Sequence, residues 1–256
     1  MTDVLVCIKR VPDTGGEITL TQDAMSIDTR YVGHTVSPHE ECAVELAIQT
    51  AKATDGAATV LSLGSADSLE QIRDALAVGC TGAVLIDAEA EKFGPADVAR
   101  AIAEVVHAHE QEGRTYDLVL LGNDAADTGD FQVGIRLAYA LDRPVVAGVS
   151  TIEVVGDRVV ARADGADGTD IFEVELPAVL TVMEGGIEPR YPSIPGRMKA
   201  KRVTVETVTP TGEPAGSGRV RLKLPPTQPS QVEILGEGPE AAAAVVDLLE
   251  RLGVSR

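Results

Sequence analysis

Leu118-Val119-Leu120-Leu121-Gly122-Asn123-Asp124-Ala125-Ala126-Asp127-Thr128-Gly129-Asp130-Phe131-Gln132-Val133-Gly134 is the stretch on which the reading of the whole chain turns. The first four residues are an apolar run that reads as a buried strand. The run stops at Gly122, crosses small and acidic residues, and enters an amphipathic helix with Val133, Leu137 and Leu141 on one face. A glycine-punctuated turn from strand end to helix start offers free backbone N–H groups and the positive end of the helix dipole. Together these suit an anion such as a nucleotide phosphate. An ordinary strand–loop–helix crossover has the same outline, so the flanking sequence must decide.

On the N-terminal side, strand and helix patterns alternate. Val4–Ile8 reads as the first strand, and Met1-Thr2-Asp3 before it lacks the basic region and cleavage site of a signal peptide. A long loop through 13–36 ends at Ser37-Pro38-His39-Glu40. There Ser is an N-cap, Pro takes the first helical position and Glu stands three after the cap, with Val44, Ala47, Ile48 and Ala51 as the apolar stripe. Residues 59–63 form a strand, and Gly64-Ser65 leads into a helix carrying Leu69, Ile72 and Leu76 that closes at Gly79. Residues 83–86 are again a strand. Gly94-Pro95 opens a helix with Val98, Ile102, Val105 and Val106, and 116–121 returns as a strand. Strands separated by helices of this length predict an α/β, doubly wound, mainly parallel sheet with helices on both faces. Such sheets bind ligands at strand carboxyl ends, where crossover direction reverses.

After about residue 150 the pattern changes. Residues 151–155, Gly156-Asp157 and 158–163 read as a hairpin, and 171–176 and Ala178–Val182 are expected to extend this antiparallel portion. Between 207 and 230, five prolines and three glycines predict an arm without regular elements. Beyond it come an apolar run at 232–235 and a helix from Pro239 to about Leu252 carrying Val245, Val246, Leu248, Leu249 and Leu252. A lone helix past a long arm either folds back or docks on another chain. The expected organisation is a nucleotide-binding domain over 1–206 and an arm with its helix over 207–256.

A hydrophobic content of 44% with only 3% aromatic residues and no Trp predicts a core of Val, Leu, Ile and Ala. A net charge of −18 argues against nucleic acid and against an anionic membrane surface. No apolar run approaches the roughly 18 residues that a membrane span needs. Cys7, Cys42 and Cys80 are odd in number and far apart, which predicts reduced thiols and a cytoplasmic setting. His107 and His109, two apart on a helical pattern, face different ways and do not suggest a shared metal. There is no nucleophile elbow, metal-binding His motif, phosphate-loop Lys or dinucleotide glycine trio. The pattern is that of a binder or carrier, not a catalyst.

Three strand ends are candidates for one pocket: Cys7-Ile8-Lys9, Leu63-Gly64-Ser65 and the loop 122–134. Gly64, Gly122, Ala125 and Gly129 would let a flat adenine or a phosphate approach the backbone. Asp124, Asp127 and Asp130 are odd company for a phosphate, and one of them suits instead a ribose hydroxyl, the adenine amino group or a side-chain to backbone bond that holds the loop.

Several blocks carry a resemblance. Val6-Cys7-Ile8-Lys9-Arg10-Val11-Pro12-Asp13, the loop 122–134, Leu176-Pro177-Ala178-Val179-Leu180-Thr181 and Glu188-Pro189-Arg190-Tyr191-Pro192-Ser193-Ile194-Pro195-Gly196-Arg197-Met198-Lys199-Ala200-Lys201 resemble the electron transfer flavoprotein β-subunit. The match runs in order over about residues 3–206, and the last block is specific to that family. The resemblance implies the adenine-nucleotide α-hydrolase-like fold and a heterodimer. An α-subunit would hold most of the redox FAD and this subunit a buried AMP. Electrons would arrive from flavin dehydrogenases such as acyl-CoA dehydrogenases, serving fatty acid oxidation, and leave toward a membrane quinone oxidoreductase.

By resemblance the AMP seat comprises Cys7, Ser37, Leu63 and Gly64 together with Gly122, Ala125, Asp127, Thr128, Gly129, Asp130, Phe131, Gln132, Val133 and Gly134. The phosphate would rest on backbone N–H groups of 130–133. Partner recognition falls on Tyr191, Pro192, Ser193, Ile194, Pro195, Met198 and Lys199, with Ile194 where the family usually has an anchoring Leu. The terminal arm resembles the family's extension along the α-subunit. A carboxylate facing the flavin domain corresponds to either Asp164 or Asp167. Bifurcating members, in which a second FAD replaces AMP, tend to carry Asp-Gly-Asp-Thr where this chain has Asp127-Thr128-Gly129-Asp130, yet Gln132-Val133-Gly134 resembles them. The alternatives are therefore such a bifurcating subunit, or a stand-alone adenine-nucleotide sensing domain.

Overall fold

The computed structural model describes residues 1–13, 15, 18–226 and 232–254. It divides into two compact units, Met1–Leu222 and Lys223–Arg256. In chain order the first unit contains β1 (Val4–Ile8), β2 (Val11–Pro12), β3 (His34–Thr35), α1 (Pro38–Ala53), β4 (Ala58–Gly64), α2 (Leu69–Val78), β5 (Gly82–Asp87) and α3 (Pro95–Gln111). It continues with β6 (Leu118–Gly122), α4 (Val133–Ala140), β7 (Val145–Val155), β8 (Arg158–Gly165), β9 (Gly168–Glu175), β10 (Ala178–Val182), α5 (Ile194–Ala200) and β11 (Glu206–Val208).

A nine-stranded sheet runs in the order β11-β5-β4-β1-β6-β10-β7-β8-β9, while β2 and β3 pair separately. Every pairing from β11 across to β7 is parallel, and β7-β8-β9 form an antiparallel meander at one edge. The central strands are apolar throughout because helices cover both faces. Val4, Val6 and Ile8 of β1 pack with α1 and α2, and Leu5 and Cys7 pack with α3 and α4. From β1 the chain passes through α1 to β4 and on to β5, then returns so that β6 pairs on the other side of β1. Crossover direction therefore reverses between β1 and β6, and their carboxyl ends flank the crevice where such a fold binds its ligand.

Two expectations need correction. Ala178–Val182 does not extend the antiparallel portion: β10 lies between β6 and β7, parallel to both, with Ala178 opposite Leu118 and Val179 opposite Val145. All of its residues are buried, as an unbroken Ala-Val-Leu-Thr-Val run requires when both faces are covered. The segment from 207 is not wholly irregular either, since Glu206–Val208 adds to β5 as a parallel edge strand. Beyond it the chain is tied down through its non-proline amides. Thr211 N–H donates to Glu104 (3.1 Å), Ala215 and Gly216 N–H to Asp97 (3.0 and 2.9 Å), and Leu222 N–H to the Ala24 carbonyl (2.7 Å). Burial pushes the Asp97 carboxyl up, but the amides of Ala215, Gly94 and Gly216 outweigh it and hold the group below its ordinary range.

The two histidines of α3 face different surroundings. His107 is exposed beside Glu110, whereas His109 is buried with Tyr116 Oη at 2.9 Å and Glu206 Oε1 at 3.0 Å. In the second unit, a 3₁₀ turn at Gly238–Ala241 leads into α6 (Ala242–Arg251), and no residue of either is buried.

Candidate functional site: the crevice at the ends of β1 and β6

The loop leaving β6 is fixed first by its own backbone. Asn123 N–H donates to the Val182 carbonyl (2.9 Å), and the Asn123 side-chain oxygen accepts from Thr181 Oγ1 (2.6 Å). Thr128 and Gly129 N–H turn back on the Ala125 carbonyl (3.2 and 2.9 Å). Gly129 (φ 57°) and Phe131 (φ 54°) then sit in the left-handed region, an uncommon place for a bulky residue and one that concentrates at functional sites. Residues 129–132 form an exposed ribbon in front of α4. Among the described residues, the N–H groups of Asp130, Phe131 and Gln132 find no acceptor, and the first amides of α4 lie just beyond them.

One of the loop's acids is paired with a cation. Lys9, one residue past β1, meets Asp127 at 2.7 Å. His39 Nε2 lies 3.0 Å from Asp124 Oδ1, while His39 Nδ1 accepts the Glu184 N–H at 2.8 Å. With Nδ1 an acceptor the imidazole brings no positive charge to Asp124, whose buried Oδ1 finds no aligned hydrogen-bond donor among the described residues. Asp130 forms no ion pair among the described residues. Of the loop's three carboxylates, Asp127 alone meets a cationic side chain among the described residues, so any anionic ligand must rest on the backbone amides of the ribbon. Nothing in the spacing around Ser37 points to His39, whose role appears only in three dimensions.

Below the ribbon, Ser37 Oγ accepts the Ala126 N–H (3.0 Å) and Glu40 Oε2 accepts the Ser37 N–H (3.0 Å). The capping box that starts α1 thereby also holds the loop. Gly122 is required here: a Cβ on it would lie 2.6 Å from Glu40 Cγ and 3.2 Å from Glu40 N. A Cβ on Gly64 would strike Ser68 Oγ, and one on Gly134 would strike Thr181 Cγ2. The structure thus joins Lys9, Ser37, Gly122, Ala125, Ala126, Asp127 and the ribbon. Cys7 and Leu63 lie at neighbouring strand ends with side chains in the α3 and α4 face of the core, and neither makes a polar bond to the loop among the described residues. Burial, reinforced by Glu40, pushes the Cys7 thiol up, so it stays protonated and inert.

Burial also raises the Glu40 carboxyl to about 8, although the amides of Ser37 and Lys9 pull it the other way. A carboxyl raised in the folded state contributes stability that is complete below its unfolded value and is lost as pH rises through about 8. Glu40→Gln should remove that loss. Between pH 5.5 and 8.5, the melting temperature of the variant should improve relative to wild type by roughly 5 °C. Thermal melts of both proteins across that range check it, and parallel pH profiles would refute it.

The second cluster of expected residues forms a surface. Tyr191 precedes α5, and the segment is helical from Ile194 onward. Ser193 caps α5 by accepting the Gly196 N–H (3.1 Å). Ile194 is 79% exposed and Met198 59% exposed, one turn apart on the same side of the helix, with Tyr191 exposed beside them. Exposed aliphatic and thioether side chains in such a patch suit a protein contact. Asp164 and Asp167 are both exposed at the β8–β9 hairpin tip, where Gly165 pairs with Gly168.

The chain defines a doubly wound α/β fold with a candidate site at the ends of β1 and β6, and comparison with known proteins places it. The sequence profile of the electron transfer flavoprotein domain matches residues 24–212. The chain is 32% identical to the electron transfer flavoprotein subunit beta of Bacillus subtilis, over 96% of this chain and 97% of that protein. It is 34% identical to the subunit beta of Syntrophomonas wolfei (94% and 92% covered) and 35% identical to that of Homo sapiens (81% of each). The chain belongs to the electron transfer flavoprotein β-subunit family, which implies an electron-transfer role and an α-subunit partner. No helix among the described residues is long and apolar enough to cross a membrane.

Proposed function

We propose that this β-subunit holds AMP in the crevice between β1 and β6, with FAD mainly in the α-subunit. The pair then carries electrons from flavin dehydrogenases, acyl-CoA dehydrogenases among them, toward a membrane quinone oxidoreductase. The observation that carries the reading is the exposed ribbon 129–132, with amides unpaired among the described residues at the switch point and the neighbouring Asp127 held by Lys9. Amides aimed at a helix start bind phosphate without a basic loop residue. Gly129, with no atom nearer than 3.9 Å to where a Cβ would stand, leaves room for a ligand at the backbone. FAD supplies the redox chemistry; this chain's residues bind, orient and shield. The heterodimer, co-expressed and denatured, should release one AMP and one FAD. Absence of AMP, or two FAD per heterodimer as a bifurcating subunit would give, overturns the assignment.

We assign dehydrogenase docking to the patch of Tyr191, Pro192, Ser193, Ile194, Pro195, Met198 and Lys199. Pro192 and Pro195 restrict the backbone around Ile194, so less entropy is lost on docking. Burying one Ile is worth roughly 1.5–3 kcal/mol, so Ile194→Ala should weaken docking about tenfold or more. Flavin spectrum and AMP content should not change. Steady-state reduction by an acyl-CoA dehydrogenase at varied flavoprotein concentration measures the effect, and an unaltered KM would remove the anchor role.

A further inference from the structure

The exposed side chains of α5 are useful to a partner only if the helix is held still, and a helix of seven residues does not hold itself. Its support comes from α2, far away in sequence. At the N-terminal end, Gly196 lies so close to the Ala77 carbonyl of α2 that a Cβ on it would collide with that oxygen. Midway, Arg197 Nη1 meets Asp74 Oδ1 at 3.0 Å, an exposed pair of small worth. At the C-terminal end, Arg73 Nη1 donates to the Ala200 carbonyl (2.5 Å) and the Val203 carbonyl (2.6 Å). The last carbonyls of a helix have no partner within it, and a guanidinium suits both their geometry and the negative end of the dipole. Ala200 is buried, so its carbonyl, which otherwise takes only the Val203 N–H at 3.3 Å, has little water to turn to. Arg73 is therefore a tertiary cap on α5, reaching it from 127 residues away in sequence.

We propose that Arg73 is the positioning residue of the docking helix. It touches no partner, yet it fixes the end of α5 so that Ile194 and Met198 meet a dehydrogenase as one rigid apolar ridge. The inference rests on the docking role assigned above. Its loss would leave α5 tethered through Ser193 and Gly196 but frayed from Arg197 onward, so docking would have to order the helix as well as bury it.

The test uses the co-expressed heterodimer, a purified medium-chain acyl-CoA dehydrogenase reduced by octanoyl-CoA, and Arg73→Met, which keeps the stem and removes every donor. Amide hydrogen exchange at 197–203 should rise roughly tenfold or more while β1, β4 and β6 keep their protection. KM for the flavoprotein should rise about as much as in Ile194→Ala, with kcat, flavin spectrum and AMP content unchanged. The Arg73→Met and Ile194→Ala double variant should be no worse than about the larger single effect, because both act on one contact. Arg73→Lys, able to reach one carbonyl at a time, should restore part of both readouts. Unchanged exchange at 197–203 in Arg73→Met would overturn the cap. Faster exchange with KM raised by Ile194→Ala but not by Arg73→Met would overturn the positioning role. If Ile194→Ala itself leaves KM unchanged, the docking assignment fails instead, and the exchange result still judges the cap.

Discussion

Gly134→Val should empty the crevice and destabilise the first unit together. A Cβ at Gly134 collides with Thr181 Cγ2, and Thr181 cannot retreat. It is 2% exposed in β10, its hydroxyl donates to Asn123 Oδ1 at 2.6 Å, and it accepts the Gly148 N–H at 3.0 Å. Nor can α4 lift freely, because Leu137 and Ala138 are buried against the sheet. Overpacking of this kind costs roughly 1–3 kcal/mol and sometimes more, and here the relief must come from moving the start of α4. Those first amides and the ribbon before them are the proposed phosphate seat, so AMP should be largely absent from the purified heterodimer and the melting temperature lower by roughly 5 °C or more. Gly129→Val is the instructive contrast. A Cβ there has only Phe131 Cε2 at 3.9 Å and Asp124 Oδ2 at 4.0 Å nearby, so the damage comes from φ 57°, not from collision. That variant should lose nucleotide with a smaller effect on melting. Nucleotide content and melts of the two variants decide the matter, and full AMP retention by Gly134→Val would show that the ligand does not sit at this helix start.

What could be read from the chain, and what could not, follows from the range of the interactions involved. The parallel core was legible because periodicity and capping are local: Ser37-Pro38-His39-Glu40 announces α1, and the 118–134 stretch announces the strand-end loop. The resemblance blocks pointed to the two stretches taken as candidate sites. The place of Ala178–Val182 was missed by extending a hairpin through sequence adjacency, although its unbroken apolar run already carried the signature of burial on both faces. Glu206–Val208 is too short and too close to prolines to announce itself, and its strand character depends on the edge that β5 offers. Lys9 with Asp127, His39 with Asp124, and Arg73 with Ala200 are pairings of residues far apart in the chain. No local pattern encodes them: Lys9 balances the charge of Asp127 at one candidate site, and Arg73 caps the helix of the other.

Truncation after Pro226 should weaken assembly with the α-subunit by roughly two to three orders of magnitude while leaving the first unit's melting temperature within about 2 °C. The second unit has little to hold it together alone. Its helix α6 spans ten residues, short for an isolated helix in water, and buries none of them. Val245, Val246, Leu249 and Leu252 recur at three- and four-residue spacing and so share one stripe. Val246 is 50% exposed and Leu252 64% exposed, so much of that apolar area remains to be covered. Covering half of each side chain recovers about 4 kcal/mol in total, before the cost of ordering the segment. The first unit gives little up, because its own tail ends in bonds from Thr211, Ala215, Gly216 and Leu222 that the truncation retains. Affinity of the separately purified subunits, with and without the tail, measures the first effect, and melting of the β-subunit alone measures the second. An unchanged affinity would mean that the helix covers its stripe elsewhere. A collapse of the β-subunit melt would mean that the tail serves its own chain and not the partner.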